Sequence, residues 1–206
     1  MTTPDLLFNG PDGSAAFTLA LAHGAGAPMD SAFMNLMAER LAARGIRVAR
    51  FEFPYMAARR RGERRPPDRE ATLRAAWLQV IEALGGGPKV IVGGKSMGGR
   101  IASLVADEAS VRGLVCLGYP FHPPGKLAQL RTAHLAALRT RTLIVQGTRD
   151  PFGTEAEIAG YTLSPSITVR FLPDGEHSFK PRAKSGRTEA QNLDEAVELV
   201  AGFVSG

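Results

Sequence analysis

The chain has 206 residues, 44% of them hydrophobic, which is enough for one domain over residues 1–206 and too little for two. No apolar run approaches the roughly 20 residues of a membrane span, and Met1 to Asp5 lacks the basic-then-apolar start of a secretory signal, so a cytoplasmic protein without a membrane partner is expected. A formal charge of +5 would suit nucleic acid, yet Arg59, Arg60, Arg61, Arg64 and Arg65 carry much of the excess, with no aromatic interleaving or zinc-finger spacing beside them, which argues against that partner.

In chain order, a short strand near Leu6 to Phe8 and a turn over Asn9 to Gly13 precede an apolar run, Ala15 to Ala22, that fits a strand covered on both faces. The run ends in His23-Gly24-Ala25-Gly26. Asp30-Ser31 is a candidate N-cap pair, followed by Phe33, Met34, Met37 and Leu41 at helical spacing and Gly45 as the stop. Ile46 to Phe53 is the next strand. The arginine run then reads as a solvated loop or, alternatively, as a docking surface for a protein partner. Beyond Pro66-Pro67-Asp68, residues Leu73, Trp77, Val80, Ile81 and Leu84 trace one helical face up to the break at Gly85-Gly86-Gly87.

Val90-Ile91-Val92 begins a strand that ends in Gly93-Gly94-Lys95-Ser96-Met97-Gly98-Gly99, after which Ile101, Leu104 and Val105 continue a helix toward Ala109. Gly113 to Gly118 is a further buried strand. It holds the chain's one cysteine, Cys116, which therefore has no intramolecular disulfide partner and reads as a structural thiol. Tyr119 to Gly125 runs over the top of the sheet, with a helix expected over Leu127 to Leu138. Thr142 to Gln146 and Ile167 to Phe171 are the last strands, separated by a helix near Thr154 to Tyr161. Thr188 and Gln191 form a capping box before a closing helix packed through Leu193, Ala196, Val197 and Val200. Strands alternating with helices imply an α/β fold, a mostly parallel sheet with helices on both faces and ligands bound beyond the carboxyl ends of its strands.

Gly94-x-Ser96-x-Gly98 between strand and helix is the spacing of a nucleophile elbow. The serine occupies an unfavourable backbone conformation at the tip, and residues two before and two after it have room only for hydrogen. The Met97 amide, first of the helix, then faces whatever atom Ser96 attacks. A neutral serine hydroxyl needs a base and an acid that orients the base. His177 and Asp150 lie in loops after the last two strands, and the chain order Ser96, Asp150, His177 suits this architecture. Asp174 and Glu176 read as solvated turn residues.

A second oxyanion donor is expected from the Ala25 amide, with Gly26 as the rival; His23 reads as a loop-fixing residue. His23, Gly24, Gly26, Lys95 and Tyr119 are candidate substrate contacts. Lys95, Arg100 and Arg149 near the proposed site carry two readings, salt bridging with solvation or attraction of an anionic acyl or phosphate-bearing substrate. His122 and His134 read as surface or local-turn residues, and four scattered histidines offer no zinc-ligand spacing. No metal or other cofactor is expected.

With these motifs, the chain resembles a small, dienelactone-hydrolase-like α/β-hydrolase, and more narrowly the compact bacterial proteins of the KANL3/Tex30-related group. The resemblance rests on His23 to Gly26, Phe51-Glu52-Phe53-Pro54-Tyr55, Arg65-Pro66-Pro67-Asp68, Gly93 to Arg100, Gly118 to Gly125 and Gln146 to Gly153. It implies a serine hydrolase with a Ser-His-Asp triad acting on a small acyl substrate, a carboxylic ester before a thioester or amide. The alternative it carries is a non-catalytic interaction or scaffold protein on the same fold. With about two dozen residues between Gly118 and the next strand, an inserted lid is not expected.

Overall fold

Runs of apolar residues that are buried along their whole length form the centre of a seven-stranded sheet, while half-exposed runs form its margins. The computed structural model describes residues 4–12 and 15–206. The strands are β1 Leu6–Asn9, β2 Thr18–Ala22, β3 Val48–Phe51, β4 Val90–Lys95, β5 Gly113–Leu117, β6 Thr142–Gly147 and β7 Ile167–Leu172. Their order across the sheet is β1-β3-β2-β4-β5-β6-β7, with β1 antiparallel to β3 and every other pair parallel. Gly13, the end of the expected first turn, and Met1 to Thr3 lie outside the described residues.

Among the described residues, six α-helices cover the two faces: α1 Ala32–Ala42, α2 Pro54–Arg60, α3 Glu70–Ala83, α4 Met97–Val105, α5 Glu155–Ile158 and α6 Glu189–Ser205. On one face, Met34, Met37 and Leu41 of α1 and Leu193, Val197 and Val200 of α6 bury Leu19, Leu21, Val48, Ile91 and Val145 of the sheet. On the other, α2, α3 and α4 bury Ala20, Phe51, Val92, Leu114 and Cys116. Each helix side chain of this kind, withdrawn fully from water, contributes about 1.5–3 kcal/mol, and their spacing at three and four residues makes each helix one-sided. Burial also raises the Cys116 thiol pKa far above its ordinary value, which leaves it a structural group. No helix among the described residues is long and apolar enough to cross a membrane.

Several local expectations need correction. The strand expected from Ala15 begins at Thr18. Ser31 occupies the N-cap of α1 without a side-chain capping bond, and Asp30 turns instead to Arg60. The arginine run is partly helical, because Arg59 and Arg60 form the last turn of α2. Arg60 joins Asp30 and Glu52, Arg59 Nε donates to the Arg65 carbonyl, and Arg61 pairs with Glu63, so much of this charge is neutralised within the chain. The helix expected over residues 127–138 is absent. A short 3-10 turn, Ala133–Ala137, replaces it, because Leu127 and Leu130 face solvent and provide no apolar stripe to stabilise a helix. α5 is likewise shorter than expected, and α4 ends at Val105. The segment between β5 and β6 therefore carries no helical lid.

Candidate active site

β2 and β4 run parallel with Ala22 level with Gly94, so the end of β2 passes directly beside the turn from β4 into α4. A Cβ at Gly94 or Gly98 would lie 2.3 or 2.4 Å from the Ala22 carbonyl oxygen, which is why neither position accommodates a side chain. Between them Ser96 adopts φ 51° and ψ −116°, a strained conformation that costs on the order of 1–3 kcal/mol. Its amide donates to the Leu117 carbonyl at 3.0 Å, which anchors the turn to β5. Trp77 Nε1–H, from α3, donates to the Gly98 carbonyl at 3.3 Å and steadies the first turn of α4.

Ser96 Oγ lies 2.9 Å from His177 Nε2, and His177 Nδ1 lies 2.8 Å from Asp150 Oδ2. Asp150 is fully buried, and its other oxygen accepts the Phe152 amide at 2.9 Å. The carboxylate therefore selects the imidazole tautomer with hydrogen on Nδ1, leaving Nε2 as acceptor for the serine hydroxyl. The Phe152 ring packs against the imidazole at 4.2 Å between centroids. The hydrogen bonds of the ring go to Asp150 and Ser96, and those of the Asp174 and Glu176 carboxylates go elsewhere. Asp174 is clamped by Arg182 and Arg149, the Arg182 hydrogen bond holding its carboxyl down to about 2, and Glu176 accepts the Ser178 and Lys180 amides. These contacts shape the loop that carries the base.

The His23 to Gly26 loop is braced from behind. His23 is fully buried, its Nε2 accepts the Phe53 amide at 3.1 Å, and its Nδ1–H donates to the Gly24 carbonyl at 2.6 Å. Burial lowers its pKa, consistent with a neutral ring that accepts on one side and donates on the other. Tyr55 Oη donates to the Ala25 carbonyl at 2.9 Å. In a trans peptide the N–H points opposite to the preceding C=O, so tying the Gly24 carbonyl to His23 directs the Ala25 N–H away from that ring. Ala25 borders the cavities on both sides of Ser96, whereas Gly26 borders one.

Two expected substrate contacts are corrected by these partners. Tyr119 is fully buried: its hydroxyl donates to the Arg131 carbonyl at 2.9 Å, and Gln146 brackets its backbone through Oε1 and Nε2. His23 acts on the loop rather than on a ligand. Lys95 borders one cavity, but its Nζ donates to the His177 carbonyl at 2.6 Å and lies 5.7 Å from the Phe33 and Phe179 ring centroids. Gly118, at φ 68°, leaves space for this amine, since a Cβ there would come within 2.8 Å of Nζ. Gly24 and Gly26 do border the cavity. Of the other flagged cations, Arg100 pairs with Glu70 and Arg149 with Asp174. His122 is buried rather than at the surface, hydrogen-bonded to the Pro123 carbonyl and facing Glu157; His134 is half-buried against Ser103 Oγ.

Desolvation lowers the Lys95 pKa to about 8, against the opposing pull of Asp150 and Glu176. The unfolded chain, with a normal lysine, holds its proton to higher pH, so folding stability rises as pH climbs from about 8 toward the ordinary lysine value. From pH 7 to 9.5, wild type is expected to gain about 2 kcal/mol relative to Lys95→Met in urea denaturation. A stability difference that stays flat with pH would contradict a desolvated ammonium here.

The sequence profile described as alpha/beta hydrolase domain matches residues 15–205. The chain belongs to the α/β-hydrolase family. Among solved structures, this α/β-hydrolase is similar to an alpha-beta serine hydrolase homologue from Coxiella burnetii, at 18% identity and TM-score 0.69 over 96% of this chain and 89% of that one. It is similar to dienelactone hydrolase from Anabaena variabilis, at 21% identity and TM-score 0.70 over 96% and 89% of the two chains. A serine hydrolase without a lid from Xanthomonas campestris matches at 18% identity and TM-score 0.60 over 98% and 88%. At these identities the likeness is one of fold. Phe152, Tyr55 and Gln146 were not singled out as functional by sequence spacing, although the first and last flank Asp150 within one short motif.

Proposed function

We propose that this α/β-hydrolase is a serine hydrolase that cleaves a carboxylic ester, and thioesters or amides less readily, through an acyl-enzyme intermediate. The observation that carries the reading is the unbroken relay from the Asp150 carboxylate through His177 to the Ser96 hydroxyl. As Ser96 Oγ bonds to the acyl carbon, its proton passes to His177 Nε2, and the carbonyl π electrons move onto oxygen. The resulting oxyanion is received by the amides of Met97 and Ala25. The Met97 amide opens α4, where an α-helix leaves N–H groups without internal partners.

Collapse of the tetrahedral species breaks the bond to the leaving alkoxide, which takes the proton from Nε2. Water then repeats the sequence on the acyl-enzyme, giving its proton to His177 and releasing the acid as Ser96 is reprotonated. Asp150 remains ionised throughout and stabilises the imidazolium formed at each step. The narrower KANL3/Tex30 placement is supported by the motifs and leaves the substrate open, so the site itself must indicate substrate chemistry.

A fluorophosphonate probe tests the reading directly. One adduct per chain, located on Ser96 and abolished by heat unfolding, is expected. Folded protein that takes no probe, or a Ser96→Ala variant labelled as strongly as wild type, would overturn it.

A further inference from the structure

Two cavities meet at Ser96, and they differ in how the charged groups of their walls are paired. One, about 330 Å³, is bordered by Gly24, Ala27, Phe33, Met34 and Phe152. Its only cationic side chain, Lys95, has its amine committed to the His177 carbonyl. The other, about 370 Å³, lies on the Met97 side and is bordered by Arg100, Arg131, Asp68 and Glu70 together with apolar residues such as Leu73 and Pro120.

One of the two cations of the second cavity is left without a counter-ion. Glu70 pairs with Arg100 Nη2 at 2.7 Å, yet Arg100 Nε is buried without a hydrogen-bond partner. Arg131 is half-buried, and its guanidinium makes no hydrogen bond or ion pair with any described residue. Burial and the neighbouring Arg100 charge both lower its pKa, as expected of a cation lacking a counter-ion. Asp68 borders the same cavity, but one of its oxygens accepts the Tyr55 amide and it makes no pair with Arg131. A half-buried guanidinium beside a second arginine is an unfavourable arrangement that a bound carboxylate would relieve, by charge-assisted hydrogen bonds in a fork geometry.

On the basis of the hydrolase reading above, we infer that Arg131 binds an anionic group of the substrate in the cavity beside Ser96, so that the preferred substrate is an ester bearing a carboxylate on one side of the scissile bond and an apolar group on the other. Arg131 is then a specificity-determining residue.

Matched esters test this, in two pairs that place the anion on either side of the bond. The acyl-side pair is 4-nitrophenyl hemiglutarate against 4-nitrophenyl butyrate; the alcohol-side pair is 4-butyryloxybenzoate against phenyl butyrate. In at least one pair, wild type is expected to favour the anionic ester by about 10- to 100-fold in kcat/KM, after correction for the uncatalysed rates. Arg131→Gln is expected to bring that ratio near unity, Arg131→Lys to retain part of it, and Arg170→Gln, removing an arginine on β7, to leave it unchanged.

Lack of preference in both pairs, or a preference that survives Arg131→Gln, overturns the carboxylate subsite while turnover of the neutral esters leaves the hydrolase reading standing. Absence of turnover for all four esters, together with absence of fluorophosphonate labelling, removes that reading and the subsite with it.

Discussion

Replacing Ser96 with alanine is expected to lower kcat on 4-nitrophenyl butyrate by about 10⁶-fold, and replacing His177 with alanine to lower it about as much. The reason lies in the shared step. Ser96 Oγ is useful only once its proton has somewhere to go, and Nε2 at 2.9 Å is the acceptor the structure provides. Without the base, the hydroxyl is a weak nucleophile. Without the hydroxyl, the base has nothing to deprotonate but water. The Ser96→Ala/His177→Ala double variant should therefore be no slower than either single variant, its residual rate coming from substrate binding and the oxyanion donors. Alanine inherits the same positive φ as Ser96, so folding should be little changed, which circular dichroism and thermal melting would check. Losses that multiply in the double variant, or a Ser96→Ala enzyme within tenfold of wild type, would show that the two side chains do not act as one unit.

Asp150→Asn is expected to lower kcat by about 10⁴-fold with a much smaller change in KM. The local hydrogen bonds determine the outcome. The Phe152 amide donates to Asp150 Oδ1, so an asparagine must keep its carbonyl oxygen there and turn its NH₂ toward His177. That NH₂ donates to Nδ1, which places the ring hydrogen on Nε2, facing Ser96, where an acceptor is required. The side chain would have the same shape and the wrong tautomer. Flipping the amide to correct the tautomer would set its NH₂ against the Phe152 N–H in a fully buried site, an arrangement that costs about 1–3 kcal/mol for each unpaired group. Steady-state kinetics of the purified variant provide the check, and a loss below tenfold would mean that Asp150 does not govern the imidazole.

Much of the framework behind these expectations was readable from residue order. Gly94, Ser96 and Gly98 specify a sharp strand-to-helix turn because any side chain at either glycine meets the Ala22 carbonyl. Buried β-branched runs alternating with one-sided helical patterns specify a parallel sheet with two covered faces, and loops that follow strands in such a sheet collect at one edge. That is how Asp150 and His177 could be placed beside Ser96 from separations of 54 and 81 residues along the chain.

Local rules failed where packing decides. Residues 127–138 have reasonable helical composition, but with Leu127 and Leu130 in solvent nothing stabilises a full helix. Tyr119 lies in the segment just beyond β5, where loops at the carboxyl ends of the strands collect, yet its hydroxyl finds the Arg131 carbonyl and its ring leaves solvent entirely.

What the sequence by itself determined was the α/β-hydrolase architecture and the order in which an elbow, an acid and a base follow its strands, because steric exclusion at glycine and hydrophobic periodicity act between near neighbours. Only the tertiary structure decided which polar groups are already satisfied: Lys95 by the His177 carbonyl, His23 by the Phe53 amide and the Gly24 carbonyl, Arg100 in part by Glu70, and Arg131 by no described side chain. Charge and hydrogen-bond complementarity belong to pairs far apart along the chain. The character of the cavity beside Ser96 therefore exists only once the sheet has brought those pairs together.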